Sequence, residues 1–139
     1  MEKLYTVSAT SLGGRTGHVK TSDGILDLDL KAPKEMGGPG GATNPEALFA
    51  AGYSACFNGA LNLAAKLKRV RVGETQIKMT ITLGKDDAGN FRLGALIEAT
   101  VPGVTQAQAE ELVKDAHNIC PYSRATKGNI DVEIRAKAE

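Results

Sequence analysis

The sequence has no excess of charge of either sign, and this balance argues against partners that are held by charge, such as nucleic acid. The 17 basic residues are matched by 16 acidic ones, which leaves a net charge of +1. Tryptophan is absent and aromatic residues make up 4% of the chain, so no basic patch is interleaved with the aromatic rings on which bases stack. We therefore expect no nucleic-acid partner.

Long apolar runs are also missing. The first residues, Met-Glu-Lys-Leu-Tyr-Thr, lack the apolar core of a secretory signal peptide, and no run reaches the length of about 20 residues that spans a bilayer. The 139 residues, 42% apolar and 24% charged, suit one ordinary globular domain. We expect a single cytoplasmic domain over residues 1–139 with no membrane partner.

Cysteine and histidine are scarce, with two of each. His18 and His117 are too few and too scattered in the sequence to form a metal site, and we expect none. Cys56 and Cys120 form no Cys-x-x-Cys motif, and a cytosolic protein rarely keeps a permanent structural disulfide. The two thiols are therefore either inert or redox-active.

One stretch of the sequence predicts a long helix that carries Cys56. Asn44 can cap this helix and Pro45 suits its first position. Glu46 places negative charge where the helix dipole favours it, and no breaker other than glycine follows before Val70. The helix is expected to extend over roughly 24 residues.

Cys56 is expected on a buried face of this helix, about 200° from a stripe of polar residues. Its neighbours one turn away, Gly52, Gly59 and Ala60, leave the sulfur with almost no side-chain bulk around it. A structural cysteine at a helix–helix contact would explain this pattern, because free cysteine is among the most buried residue types. On this segment alone, the structural interpretation is favoured.

Alternating apolar residues predict strands on both sides of the helix. These strands lie at residues 4–10, 18–21, 25–30, 75–83, 91–101 and 130–134. A capping box at Thr105 opens a second helix, and Pro121 ends it so that Cys120 lies at a helix-to-loop junction. The glycine-rich segment 13–17 is expected to form a bulge or a close approach of the backbone, and the segment 31–43 a flexible loop. This order predicts an α+β fold, with an antiparallel-dominated sheet around the long central helix.

A reactive Cys56 would need a nearby cation, because the thiolate is the nucleophile and an ordinary thiol, with a pKa of about 8.5, is mostly protonated at neutral pH. Arg15 is the candidate, since arginine stays charged when it is desolvated. Glu46 could orient Arg15 through a bidentate ion pair. Glu46 and Cys56 are separated by roughly 15 Å along one helix, so one arginine can hardly reach both within a chain. If both residues serve one site, we expect two subunits to build it.

Three sequence blocks resemble the organic hydroperoxide resistance (Ohr) proteins, a branch of the OsmC/Ohr family. They are Gly-Gly-Arg-Thr-Gly at 13–17, Thr-Asn-Pro-Glu-Ala-Leu-Phe-Ala-Ala-Gly-Tyr-Ser-Ala-Cys-Phe at 43–57, and Ala-His-Asn-Ile-Cys-Pro-Tyr-Ser-Arg-Ala-Thr-Lys-Gly-Asn at 116–129. The resemblance covers essentially the whole chain. It implies the OsmC/Ohr fold, an intertwined homodimer with shared active sites.

The resemblance also implies a function, that of a thiol-dependent peroxidase that reduces organic hydroperoxides to alcohols. Cys56 would be the peroxidatic cysteine and Cys120 the resolving one, joined in a disulfide during turnover. Arg15 and Glu46 would activate the Cys56 thiolate. No cofactor would be bound, and a dihydrolipoyl dithiol on a lipoylated partner protein would act as the reductant.

Other interpretations of the same residues stay open at this point. Arg15 alone could be a solvated loop residue, and Glu46 could serve only the helix dipole. The thiol pair could be a non-enzymatic redox sensor or a thiol-regulated binding module, or the chain could belong to the sister OsmC branch of peroxidases. A purely structural domain with inert cysteines is a further alternative.

Overall fold

The computed structural model describes the whole chain, residues 1–139, as an α+β protein with six strands and three α-helices. The elements follow in the order β1 (Ala9–Leu12), β2 (His18–Thr21), β3 (Asp27–Asp29), α1 (Pro45–Leu67), β4 (Gln76–Lys85), β5 (Phe91–Val101), α2 (Gln106–Ile119), α3 (Pro121–Thr126) and β6 (Asp131–Ala138). Two compact units comprise residues 1–48 and 49–139. The predicted fold class is confirmed, and only the pairing of β5 with β6 is parallel.

The first unit is built on a small antiparallel sheet in the order β1-β2-β3. The predicted strand over residues 4–10 was wrong in its position, because pairing with β2 begins only at Ala9, opposite Thr21. The apolar residues before Ala9 have no strand beside them and are exposed. The glycine-rich link between β1 and β2 is a single 3-10 turn, Gly14–Thr16, rather than a bulge. The alternative prediction, a close backbone approach, is confirmed, because a Cβ atom at Gly17 would clash with the carbonyl of Leu12.

The loop after β3 is more regular than its composition predicted. It contains a 3-10 turn at Lys34–Met36, and the amide of Gly38 donates to the Pro33 carbonyl at 3.0 Å. Gly37, which closes the turn, has a φ of 80°, a left-handed conformation that glycine adopts without a steric penalty.

Helix α1 begins and ends close to its predicted limits and has 23 residues. Its start is set by Asn44, whose side-chain oxygen accepts the amide of Ala47 at 2.9 Å. After Leu67 the chain leaves the helix, and Arg69 takes a left-handed conformation with a φ of 56°. Such a residue just past a helix end is a usual way for the backbone to terminate a helix.

The second unit has one core, formed by α1, α2 and the second sheet. In that sheet β4 and β5 are antiparallel, while β6 runs parallel to β5. The largest fully buried apolar side chains are Tyr53, Phe57, Leu61, Ile97, Val101 and Leu112. Those on α1 recur every four residues, so this core fixes which side of α1 faces the sheet and α2.

Helix α3 was not predicted, and it changes the surroundings of Cys120. Helix α2 ends at Ile119, as expected from Pro121, but the same proline occupies the first position of a new helix. Proline suits that position because its fixed φ is helical and its missing N–H is not needed there. Cys120 therefore lies between two helices rather than at a helix-to-loop junction, and it is fully buried.

Candidate functional site

The two cysteines face each other inside the second unit. The Sγ atoms of Cys56, on α1, and Cys120, between α2 and α3, are 3.4 Å apart, and both thiols are free. Cys56 is half-buried and Cys120 is fully buried. A disulfide has an S–S length of about 2.05 Å, so a small approach of the two sulfurs would join them.

The first turn of α3 supplies one backbone amide to each sulfur. The amide of Ser123 donates to Cys120 Sγ at 3.5 Å, which makes this sulfur the cap of α3. The backbone amide of Tyr122 acts on Cys56, where it lowers the pKa of the thiol. Cys56 lies in the middle of α1, too far from the N-terminus of its own helix to be affected by it, so the nearby amide comes from α3 instead.

The surroundings in this unit nevertheless favour the protonated form of Cys56. Burial raises the pKa of the Cys56 thiol, because charge is poorly solvated in the interior, and the amide of Tyr122 opposes this effect. Neighbouring Cys120 raises the pKa further through its hydrogen bond and charge. A thiolate at neutral pH therefore requires an additional positive charge close to the sulfur.

An aromatic cluster covers the glycine next to the thiol pair. The rings of Phe49 and Tyr122 are stacked with centroids 6.2 Å apart, and Tyr53 lies 5.8 Å from Tyr122. A Cβ atom at Gly52 would lie 3.4 Å from the Tyr122 ring, which is an ordinary contact distance, so this ring packs over α1 at Gly52. The sequence predicts an open patch at Gly52, but no local pattern predicts that Tyr122 occupies it.

In the first unit, Arg15 and Glu46 form the bidentate ion pair that their charges led us to expect. Nη1 and Nη2 of Arg15 donate to the two carboxylate oxygens of Glu46 at 2.8 and 2.6 Å. The Glu46 side chain is 17% exposed and that of Arg15 is 44% exposed. The guanidinium holds the pKa of the Glu46 carboxyl below its usual value, so both groups stay charged at neutral pH.

The structure thus groups the predicted site residues as two pairs, one in each unit. Arg15 is paired with Glu46, and Cys56 is paired with Cys120. His117 lies on α2, as predicted, with a buried Nδ1 that has no hydrogen-bond partner. No group of three or more histidine, cysteine or acidic side chains is arranged to hold a metal ion, and no helix combines the length and apolarity needed to span a membrane.

Comparison with known proteins relates this geometry to a family. The family model described as OsmC-like protein matches residues 38–135. Organic hydroperoxide resistance protein-like 2 of Staphylococcus epidermidis is 48% identical to the chain, over 98% of this chain and 97% of its own length. The chain belongs to the OsmC/Ohr family.

The likeness to the Ohr branch holds in sequence and in three dimensions. Organic hydroperoxide resistance protein OhrB of Bacillus subtilis is 43% identical over 96% of this chain and 98% of its own. The crystal structure of an organic hydroperoxide resistance protein from Elizabethkingia anophelis superposes with a TM-score of 0.95, at 45% identity, and each chain is covered completely. The resemblance recognised from the three sequence blocks is therefore confirmed.

Within this OsmC/Ohr chain, the region matched by the family model contains three of the four predicted site residues. Glu46, Cys56 and Cys120 lie inside residues 38–135, and Arg15 precedes them. Family membership and the contact between the two sulfurs identify the thiol pair as the candidate reactive site.

Proposed function

We propose that this protein is a Cys-based peroxidase that reduces organic hydroperoxides to alcohols and acts in the response to oxidative stress. The observation that carries the proposal is the 3.4 Å separation of the two free thiols, in a chain of the OsmC/Ohr family. Relatives named for organic hydroperoxide resistance support the choice of substrate class.

In the first step, the thiolate of Cys56 attacks the distal oxygen of the hydroperoxide. A sulfur–oxygen bond forms, the oxygen–oxygen bond breaks, and the departing alkoxide takes a proton to become the alcohol. Sulfur is oxidised to sulfenic acid and the peroxide is reduced. The half-buried position of Cys56 is compatible with this step, since a substrate oxygen has to reach the sulfur.

Arg15 and Glu46 provide the charge that this step requires. Arg15 would hold the thiolate and stabilise the negative charge that develops on the leaving oxygen. Glu46 would keep the guanidinium in one orientation, as the two hydrogen bonds between them already do. Because of the separation along α1, we propose that Cys56 of one subunit meets Arg15 and Glu46 of the other.

This arrangement needs a homodimer, and the exposed apolar side chains of the first unit support one. Leu4 and Ile25 are 89% and 87% exposed, and Leu12 is 70% exposed. Large apolar side chains that are this exposed are typical of a surface that a second protein covers. A second copy of the chain, intertwined with the first, would cover these side chains and complete both sites.

In the second step, the thiol of Cys120 condenses with the Cys56 sulfenic acid. A sulfur–sulfur bond forms, the sulfur–oxygen bond breaks, and water leaves. A dithiol then reduces the disulfide by two successive exchanges and is itself released as a disulfide. We propose a dihydrolipoyl group on a lipoylated protein as this dithiol, so it is a co-substrate and the protein needs no bound cofactor.

The surroundings of Cys56 favour a substrate with an alkyl or aryl tail over hydrogen peroxide. Tyr122 remains 41% exposed beside the thiol pair and stacks on the half-buried ring of Phe49. These rings offer an apolar surface to the organic part of the substrate, which hydrogen peroxide lacks.

A stoichiometric oxidation tests the proposal. One equivalent of cumene hydroperoxide is added to the reduced protein, followed by thiol counting and intact mass analysis. We expect both thiols to disappear, the chain to lose two hydrogens without crosslinking, and one equivalent of cumyl alcohol to form. With excess hydroperoxide and dihydrolipoamide, cumyl alcohol is expected to continue to accumulate. Thiols that survive both cumene hydroperoxide and hydrogen peroxide would contradict the proposal. A single oxidation with no further turnover would instead favour a non-enzymatic redox sensor or binding module.

A further inference from the structure

Three hydroxyl groups meet in the core between α1 and α3. The hydroxyl of Tyr53 lies 2.9 Å from Ser123 Oγ and 3.1 Å from Thr126 Oγ1. Tyr53 and Ser123 are completely buried, and Thr126 is 7% exposed. Tyr53 precedes Cys56 by one turn of α1, and the other two residues belong to the helix that Cys120 caps.

The donors and acceptors of these hydroxyls can be assigned in one consistent way. Thr126 Oγ1 donates its single hydrogen to the Ser123 carbonyl at 3.2 Å. Thr126 must therefore accept from Tyr53, and Tyr53 in turn accepts from Ser123 Oγ. Every hydroxyl has a partner, and removing the Tyr53 hydroxyl would leave the Ser123 hydroxyl without an acceptor in the core, whereas Thr126 would keep its bond to the Ser123 carbonyl.

Helix α3, which contains two of these three hydroxyls, is too short to be stable without tertiary contacts. Helix α3 has six residues, and a helix of that length is not stable in water without tertiary contacts. Its first turn also contains the amide of Ser123, which donates to Cys120 Sγ, and the amide of Tyr122, which lowers the pKa of Cys56. The position of the two amides, and of Cys120, therefore depends on what fastens α3 to α1.

We propose that Tyr53 is a positioning residue, whose hydrogen bonds to Ser123 and Thr126 hold α3 so that Cys120 stays within reaction distance of Cys56. The inference rests on the proposed function, because it concerns the resolving step of that reaction. In this step the Cys120 sulfur must approach the sulfenic sulfur of Cys56 along the line of the S–O bond, and water departs. A displacement of about 1 Å in such a geometry can slow a reaction by about a hundredfold.

The proposal predicts two effects of losing the Tyr53 hydroxyl. Helix α3 would shift, so the disulfide would form more slowly while the reaction with peroxide remains possible. The amide of Tyr122 would also withdraw from Cys56, and the thiol pKa would rise because that amide lowers it in the intact protein. A purely structural role for Tyr53 would lower the melting temperature and leave both properties of the thiol pair unchanged.

The test compares Tyr53→Phe with the full-length wild-type protein. After one equivalent of cumene hydroperoxide, rapid quenching and mass analysis follow the sulfenic acid and the disulfide separately. We expect disulfide formation to slow by about tenfold or more, with overoxidised Cys56 accumulating under excess peroxide. The pH dependence of alkylation by iodoacetamide is expected to show a higher Cys56 pKa. Disulfide formation at the wild-type rate with an unchanged pKa would overturn the proposal.

A second pair of variants tests the same hydrogen bonds in case Tyr53→Phe does not fold. Thr126→Val removes one hydroxyl at nearly constant volume, and Thr126→Ser keeps it. The valine variant is expected to slow the resolving step, whereas the serine variant should restore it. Tyr5→Phe, which removes a hydroxyl from a tyrosine that is 79% exposed, serves as the matched control and is expected to behave as wild type. Equal rates for the valine and serine variants would contradict the inference.

The inference can fail or succeed separately from the proposed function. Diamide oxidises neighbouring thiols to a disulfide and requires no peroxidase activity. If the wild type ignored hydroperoxides, the proposed function would be wrong, but diamide would still compare the closure of the Cys56–Cys120 pair in the wild type and Tyr53→Phe. Slower closure in the variant would support the positioning role, and equal closure would exclude it.

Discussion

At the scale of single residues, the reactivity of Cys56 depends on a balance between burial and charge. Burial raises the pKa of its thiol, and the one backbone amide that donates to the sulfur only partly offsets this effect. Arginine is suited to shift the balance because it cannot lose its proton in the interior. Arg15 has the further advantage that Glu46 already fixes the plane of its guanidinium.

Replacing Arg15 tests this balance directly. We expect Arg15→Ala to fold and to have a Cys56 pKa higher than that of the wild type. It should react with cumene hydroperoxide about a hundredfold more slowly, because it lacks the guanidinium that stabilises the negative charge on the leaving oxygen. Alkylation of Cys56 as a function of pH measures the pKa. Arg135→Ala, which removes an exposed arginine paired with Glu133, is the control. An unchanged Cys56 titration in Arg15→Ala would remove Arg15 from the mechanism.

At the scale of secondary-structure elements, the hairpin of β2 and β3 contains a titratable clamp close to Arg15 in the sequence. Nδ1 of His18 lies 2.8 Å from Asp29, and Nε2 contacts Asp27, which also faces Lys20 at 3.8 Å. Only a protonated imidazole donates from both nitrogens. The two carboxylates, Asp29 first, accordingly raise the pKa of His18.

This clamp makes the stability of the hairpin depend on pH. Because the pKa of His18 is raised in the folded state, the stabilisation that His18 provides is fully present below its unfolded pKa of about 6.5. This stabilisation is lost as pH rises through the pKa of the folded state. The melting temperature of the wild type is expected to exceed that of His18→Gln at low pH, and the difference should vanish at high pH. Thermal unfolding followed by circular dichroism over this range measures it.

The second histidine provides a control of opposite sign. Burial, and to a lesser degree Lys127, lowers the pKa of His117, so the folded protein binds a proton there less readily than the unfolded chain. His117→Gln should therefore gain stability relative to the wild type as pH falls below about 6.5. If the difference in melting temperature between the wild type and His18→Gln stayed constant with pH, the stabilising role of protonated His18 would be contradicted.

At the scale of the whole molecule, the proposed sharing of the active site between two subunits makes a prediction about mixed dimers. A dimer of one Arg15→Ala subunit and one Cys56→Ser subunit would contain one intact site if the arginine and the cysteine come from different chains. It would contain none if they come from the same chain. Unfolding and refolding an equimolar mixture is expected to recover about a quarter of the wild-type peroxidase activity, because half of the dimers are mixed and each has one site.

The parent proteins supply the comparison for this experiment. Arg15→Ala and Cys56→Ser refolded separately should each remain nearly inactive. Light scattering of the wild type should give twice the chain mass of 14.6 kDa. A mixture no more active than its parents, or a mass of one chain, would reject the sharing of the site between two subunits.

Structural features whose formation depends on residues close in the sequence, or on simple charge pairing, could be predicted from the sequence alone. Helix α1 was predicted closely because a cap at Asn44 and an unbroken run of helix formers act within a few residues of each other. The capping box at Thr105 formed as expected, with its side chain accepting the amide of Gln108. The pairing of Arg15 with Glu46 followed from opposite charge and the planar geometry that arginine and carboxylate share.

Tertiary structure alone decided the features that depend on distant parts of the chain meeting. Helix α3 has six residues, too few for apolar periodicity to reveal, and it exists because the hydroxyl of Tyr53 and the rings around Tyr122 hold it. The approach of Cys120 to Cys56 follows from the position of that helix, and no local pattern in the sequence encodes it. The chemistry of the thiol pair therefore depends on packing, which brings together residues that neither helix could place alone.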